Sequence, residues 1–199
     1  MARQNRVQPT RDIIAHPARG GFMGNRGILH KAQGLHPKRR WAHRNWVCCR
    51  LSYKGNRREL MAPGRYTELF FLDEAVAFAA GHRPCAQCRN AAYRDFRACL
   101  PLIGPAAALD RQLHHERAIA RRFAQRRHPL PDATDLPDGS FVLTSDGTAG
   151  LIYETAFHPY RPEGYASARA LPRGPVQLLT PPSIVAAFRN GYRPRMALD

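Results

Sequence analysis

Cys85 and Cys88 close the run Gly81–Cys88, GHRPCAQC, and two thiolates separated by two residues can turn back on one tetrahedral ion. The sulfur–metal distance in such a knuckle is about 2.3 Å. Reducible and catalytic Cys-x-x-Cys pairs usually head a helix directly after a strand. This pair instead follows a short helix and a Gly-x-Arg-Pro turn, so the spacing points to zinc. A closed structural zinc site needs two further protein donors. The strand-like segment Trp46–Tyr53 offers Cys48 and Cys49, whose side chains point to opposite faces, so one of them donates. Cys49 is favoured: it shares its face with Leu51, opposite Trp46 and Cys48, and opens towards the basic Arg50–Arg58 side. His43 is the expected fourth ligand, giving a Cys₃His site, with Cys48 and His30 as alternatives. His82, inside the turn, could point either way. Three protein ligands and a water would make an open site able to generate hydroxide near neutral pH.

The word order around the knuckle resembles the amino-terminal metal-binding domain of the Ada DNA-repair protein family. There a strand and a Glu/Ala-rich helix lead into Gly-[aromatic]-Arg-Pro-Cys-x-x-Cys. The matching residues are Glu74, Ala75, Ala79, Ala80, Gly81, Arg83, Pro84, Cys85 and Cys88, within about twenty of the 199 residues. The resemblance implies zinc held by four cysteines, one of which takes a methyl group from a DNA phosphotriester, and hence a DNA-repair setting. In that family the upstream pair is Cys-x-x-x-Cys; here the adjacent Cys48 and Cys49 stand in its place.

Two other sets of residues could do acid–base or metal chemistry. Asp110 and His114 are four apart and share a helix face, with His115 and Glu116 beside them, the kind of His and carboxylate set that metal-dependent nucleases use. Glu68 precedes the knuckle on a strand and alternates with Tyr66 and Phe70; it is a candidate general base, or a partner of Arg83. The candidate catalytic residues are therefore Glu68, His114 and Glu116, for a nuclease or an alkyltransferase acting on phosphodiester or phosphotriester.

The charge selects the partner. The chain carries a net +16, and residues 1–67 hold 15 of the 31 Lys/Arg but only two of the 15 acids, Asp12 and Glu59. A field so one-sided attracts polyanions and makes binding salt-dependent. Arg39, Arg40, Arg44, Arg50, Lys54, Arg57 and Arg58 are the expected phosphate contacts, with Trp41, Trp46 and Tyr53 for stacking or packing. The expected function is a zinc-binding, nucleic-acid-binding protein, with DNA a better fit than RNA. A protein-interaction module built on the carboxy-terminal part is the remaining alternative. No apolar run approaches the roughly twenty residues of a membrane span, and the amino terminus lacks the apolar core of a signal peptide. Five cysteines, two in metal spacing, suit a reducing compartment. The expected location is the cytoplasm, with nucleoid association if the partner is DNA.

The elements that must position these groups read as follows. Residues 1–45, basic and rich in Gly and Pro, read as irregular. Within 46–127, strands Trp46–Tyr53 and Tyr66–Leu72, a helix capped by Asp73 and stopped by Gly81, the knuckle and a helix over Arg89–Leu100 form a zinc-centred ββα-knuckle-α unit, followed by a long basic helix over about Ala107–Arg127. Residues 128–199 read as a small β-rich part, with strands at Phe141–Thr144, Ala149–Phe157 and Val176–Leu179, ending in a helix over Ser183–Asn190. The expected class is α+β. Ser183–Pro194, SIVAAFRNGYRP, also aligns with Asp73–Pro84, DEAVAFAAGHRP, as a possible internal repeat or as two uses of one glycine helix stop.

Overall fold

A computed structural model describes residues 2–32, 34–55, 59–102 and 104–198. Strands β1 (Gln4–Val7), β2 (Ile13–Ala15), β3 (Phe22–Asn25), β4 (His30–Lys31), β5 (Gly34–Leu35), β6 (Val47–Cys49) and β7 (Leu69–Phe71) come first. Helix α1 (Glu74–Ala79), β8 (Arg83–Pro84), α2 (Asn90–Ala98), α3 (Ala106–Arg117), β9 (Ala118–Ile119) and β10 (Ala124–Gln125) follow. Then come β11 (His128–Leu130), β12 (Phe141–Leu143), β13 (Ala149–Tyr153), β14 (Ala156–Arg161), β15 (Gly164–Tyr165), β16 (Arg169–Ala170), β17 (Val176–Leu178) and α4 (Pro182–Arg189).

One sheet runs β2-β1-β7-β3-β6-β8 and the other β11-β17-β12-β13-β14-β15, with β16 also on β14. Successive side chains on a strand take opposite faces, and β1, β6 and β7 of the first sheet alternate accordingly. Val7, Leu69, Phe71 and Cys48 face inward and are buried. Arg6, Phe70, Met23 and Cys49 lie on the other face, in register across β1, β7, β3 and β6. On the inward face of β3 stands Gly24, where a Cβ would come within 2.3 Å of the Phe71 ring, so only glycine fits. Helix α1 is apolar on all sides apart from Glu74 and is wholly buried. Its alanines and Val76 share one core with Phe71 from the first sheet and Phe141 and Leu151 from the second. A helix without a polar face suits a position between two sheets.

The long helix over Ala107–Arg127 does not form. The protein is sheet-rich, with 27% of residues in strands and 20% in helices, and the four helices among the described residues are mostly short, which overturns the expected α+β arrangement built around that helix. Helix α3 stops at Arg117, and the carbonyls that would carry its ladder onward are engaged elsewhere. That of His115 accepts from Arg126 Nε at 3.0 Å, that of Glu116 pairs with His128 Nε2 at 2.9 Å, and that of Arg117 accepts from Arg11 Nη1 at 2.7 Å and from the backbone N–H of Arg126 at 3.0 Å. Ala118 turns extended, and the chain doubles back through Phe123, left-handed at φ 49°, to pair β10 with β9. The ββ pairing of the expected zinc-centred unit is also different. Strand β3 lies between β6 and β7, so residues 1–45, read as irregular, supply the middle and one edge of the sheet. Strands of two to four residues broken by Gly and Pro leave little periodicity to read. Likewise Ala149–Phe157 is not one strand; Glu154 and Thr155, both at positive φ, turn β13 into β14.

The two related segments share their cap in detail. Gly81 and Gly191 stand at φ 86° and 105°. The N–H groups of Gly81 and His82 donate to the carbonyls of Phe78 and Ala77 at 2.7 and 2.8 Å, and those of Gly191 and Tyr192 to Phe188 and Ala187 at 3.1 and 3.0 Å. The equivalent phenylalanines, Phe78 and Phe188, pack edge to face at 5.4 Å.

Candidate metal centre and cleft

The alternation of β6 turns Cys49 out of the core, and the knuckle is pinned beside it: the N–H of Cys85 donates to the Cys48 carbonyl at 2.9 Å, and that of Arg89 to the Cys85 carbonyl at 3.0 Å. The Sγ atoms of Cys49, Cys85 and Cys88 all lie within 4.8 Å of one another. Three sulfurs on one tetrahedral ion stand about 3.8 Å apart, so this cluster could hold a metal ion with small adjustments. Without a metal the sulfurs share protons unequally. The hydrogen bond from Cys49 lowers Cys85 to about 5, against the opposing effect of burial. Cys49 is pushed up by that same bond and then by burial, and Cys88 is pushed up by burial. A cation would replace the shared protons.

No fourth His, Cys, Asp or Glu joins the cluster among the described residues. Cys48 points into the core, where Arg89 Nη1 donates to its Sγ at 3.4 Å and burial raises its pKa. His30 Nδ1 pairs with the Thr67 hydroxyl at 2.6 Å and its Nε2 with the Ala62 carbonyl at 3.3 Å. His43 packs beside Gly27, and its carbonyl accepts from Trp46 Nε1 at 2.8 Å.

The three cysteines line a cleft of about 1010 Å³. Its floor is the outward face of the first sheet, with Arg6, Phe70, Met23 and Val47. Arg19, Arg50, Tyr53 and Tyr66 also line it. Sequence reading missed Arg6 and Arg19 here because their segment gave no strand register. Glu68 lines the same cleft but is 2% exposed, and its Oε2 accepts the N–H of Met61 at 2.7 Å, fixing a loop residue with φ 59°. It immediately precedes β7, which is separated from β6 and Cys49 by β3 in the sheet.

The remaining sequence candidates are dispersed. Asp110 receives a two-pronged bond from Arg83, Nε to Oδ1 and Nη2 to Oδ2, both 2.7 Å, which clamps α3 to the knuckle. Glu116 accepts from the backbone N–H of Ser183 at 2.9 Å and from Gln112 at 2.7 Å, capping α4. His114 packs edge-on against Trp41 and Trp46. The structure therefore brings Glu68, His114 and Glu116 to three separate places. Arg39, Arg44, Arg50 and Lys54 are exposed, and Arg40 folds onto the carbonyls of His36 and Pro37. Arg57 and Arg58 lie outside the described residues. Trp41 and Trp46 are buried, leaving Tyr53, of the expected stacking residues, in the cleft.

Among the described residues no helix is long and apolar enough to cross a membrane. Compared with protein-family models, curated proteins and solved structures, the chain gives no match.

Proposed function

We propose that Cys49, Cys85 and Cys88 hold a zinc ion and that the adjoining cleft binds nucleic acid, DNA in preference to RNA. The observation that carries this reading is the shared cleft: three sulfurs open onto a cleft that Arg6, Arg19, Arg50, Tyr53 and Phe70 also line. A thiolate-rich donor set selects a soft or borderline cation, and zinc is the common one. Guanidinium groups would contact phosphates while aromatic rings pack on bases. When bound, zinc would hold the knuckle against β6 and keep the thiolates deprotonated.

A second reading follows from the three-sulfur set itself. A thiolate facing a nucleic-acid cleft is placed to accept an alkyl group, in keeping with the Ada-like wording of the knuckle, and this supports a repair setting. Nuclease chemistry through Glu68, His114 or Glu116 finds no comparable support: Glu68 holds the N–H of Met61, Glu116 caps α4, and His114 packs against Trp41 and Trp46.

The test is metal content of the purified protein together with a DNA-binding titration at several salt concentrations, for the wild type and for Cys85→Ser. The reading expects about one zinc per chain, lost in the variant, and affinity falling by orders of magnitude from low to moderate salt. Metal-free protein, or binding indifferent to salt, would defeat it.

A further inference from the structure

Behind the knuckle, three arginines converge on one tryptophan. The guanidinium carbons of Arg117, Arg26 and Arg11 lie 4.1, 4.7 and 5.3 Å from the centre of the Trp46 ring. Arg26 is 0% exposed, Arg117 1% and Arg11 4%. Guanidinium groups keep their protons in proteins, so this region of the core carries about three positive charges. Among the described residues none of the three takes part in an ion pair.

The neighbouring acids do not neutralise them. Asp110 is occupied by Arg83 and Glu116 by Ser183. Asp12, which acts on Arg11 and Arg26 at a distance, is exposed and accepts from the Thr10 hydroxyl. Arg11 and Arg117 spend donors on backbone carbonyls: Arg11 on that of Arg117, and Arg117 on those of Gly81 and Arg44. Arg26 Nε donates to His82 Nε2 at 3.2 Å, which fixes His82 as a neutral acceptor and supplies no negative charge. Among the described residues, Nη1 and Nη2 of Arg26 and Nε of Arg117 are left buried with no partner, as are Nδ1 of His43 and Nδ1 of His114. Burial, followed by the charges of Arg11, Arg117 and Arg40, drives the Arg26 pKa well below the usual arginine value, a measure of how poorly this charge is compensated.

We infer that this nest binds a small inorganic oxyanion, phosphate or sulfate, as an internal counter-ion on the free fork of Arg26. The guanidinium fork matches two oxygens of such an anion, and a charge-assisted pair is the strong form of that bond. Cation–π contact with Trp46 orients the fork but leaves its terminal N–H groups without acceptors. The site is separate from the metal and the cleft, although Arg117 also holds the Gly81 carbonyl at the start of the knuckle turn.

The test uses the full-length, metal-loaded protein dialysed free of phosphate and sulfate. Thermal unfolding is followed as either anion is raised to about 10 mM at constant ionic strength, a range in which a filled site raises Tm but general salt effects are small. Anion released on denaturing the undialysed, desalted protein is measured in parallel by ion chromatography. A saturating rise of several degrees, or about one anion released per chain, supports the site when Arg26→Met abolishes it; the arm that acts distinguishes phosphate from sulfate. A flat Tm with no anion released overturns it, as does an equal rise in wild type and Arg26→Met. If that variant does not fold, the release measurement on the wild type together with its own titration decides.

Discussion

Cys48 and Cys49 are adjacent in sequence and serve opposite sides of one sheet: Cys49 joins Cys85 and Cys88 at the cleft, and Cys48 lies 1% exposed in the core with Arg89 on its sulfur. Two cysteines that appear to compete for one ion are thereby separated by the alternation of a three-residue strand. The sulfurs should therefore respond to substitution quite differently. Cys49→Ser, Cys85→Ser and Cys88→Ser should each weaken zinc binding by more than about 100-fold, while Cys48→Ala keeps the metal and loses only stability. Competition with a chromophoric chelator measures this, and equal losses from Cys48→Ala and Cys49→Ser would refute the assignment.

In metal-free protein the cysteines should titrate apart. Cys85, lowered to about 5, carries the thiolate at neutral pH, whereas Cys49 and Cys88 keep their protons. The sign follows from linkage: the Cys85 contribution to stability is complete above the ordinary thiol pKa of about 9 and is lost as pH falls through about 5. The Cys49 and Cys88 contributions run the other way and are lost as pH rises above the ordinary thiol value. Alkylation with iodoacetamide, mapped by mass spectrometry across pH, should modify Cys85 first at pH 7 and slow about tenfold per unit below its pKa. Identical profiles for all three would contradict the shared-proton arrangement.

The knuckle was legible in the sequence because its chemistry is local: Gly81, Pro84, Cys85 and Cys88 stand in eight consecutive residues. Strand alternation also separated Cys48 from Cys49, but which of the two turns towards the knuckle depends on how β6 packs. The cleft was not legible. Its floor takes Arg6, Met23, Cys49 and Phe70 from four strands, and their register is set by pairings between distant segments. The helix stop at Arg117 was equally hidden, because the carbonyls of the last turn are engaged by groups outside the helix: those of His115 and Glu116 by Arg126 and His128, and that of Arg117 by Arg11, 106 residues earlier. Periodicity carried the helical pattern onward, but tertiary hydrogen bonds took the carbonyls it needed.

Glu116 illustrates a chemically suggestive residue used for structure. Its carboxylate caps the first turn of α4 at Ser183, so Glu116→Ala should cost about 1–2 kcal/mol. Metal content and DNA affinity should stay at wild-type levels, as measured by chemical denaturation alongside the zinc and binding assays. A variant of unchanged stability that loses activity on DNA would return Glu116 to the catalytic list.

Glu74 ties the carboxy-terminal tail to the knuckle. Its Oε1 pairs with Arg89 Nη2 at 2.6 Å and accepts the Tyr192 hydroxyl at 2.8 Å, while Oε2 accepts the N–H of Arg195 at 3.1 Å. Both ion-pair side chains are almost fully buried, 5% and 2% exposed, so removing the carboxylate strands the Arg89 charge against Cys48. Breaking such a pair costs about 3–5 kcal/mol, and Glu74→Ala should approach that loss. Glu74→Gln retains an acceptor for Tyr192 or Arg195 and should lose less. Because the Arg89 N–H also holds the Cys85 carbonyl, the alanine variant should weaken zinc binding without touching a ligand. Denaturation of both variants, with and without zinc, separates the two effects: a destabilised protein of unaltered zinc affinity would show that the network braces the core alone.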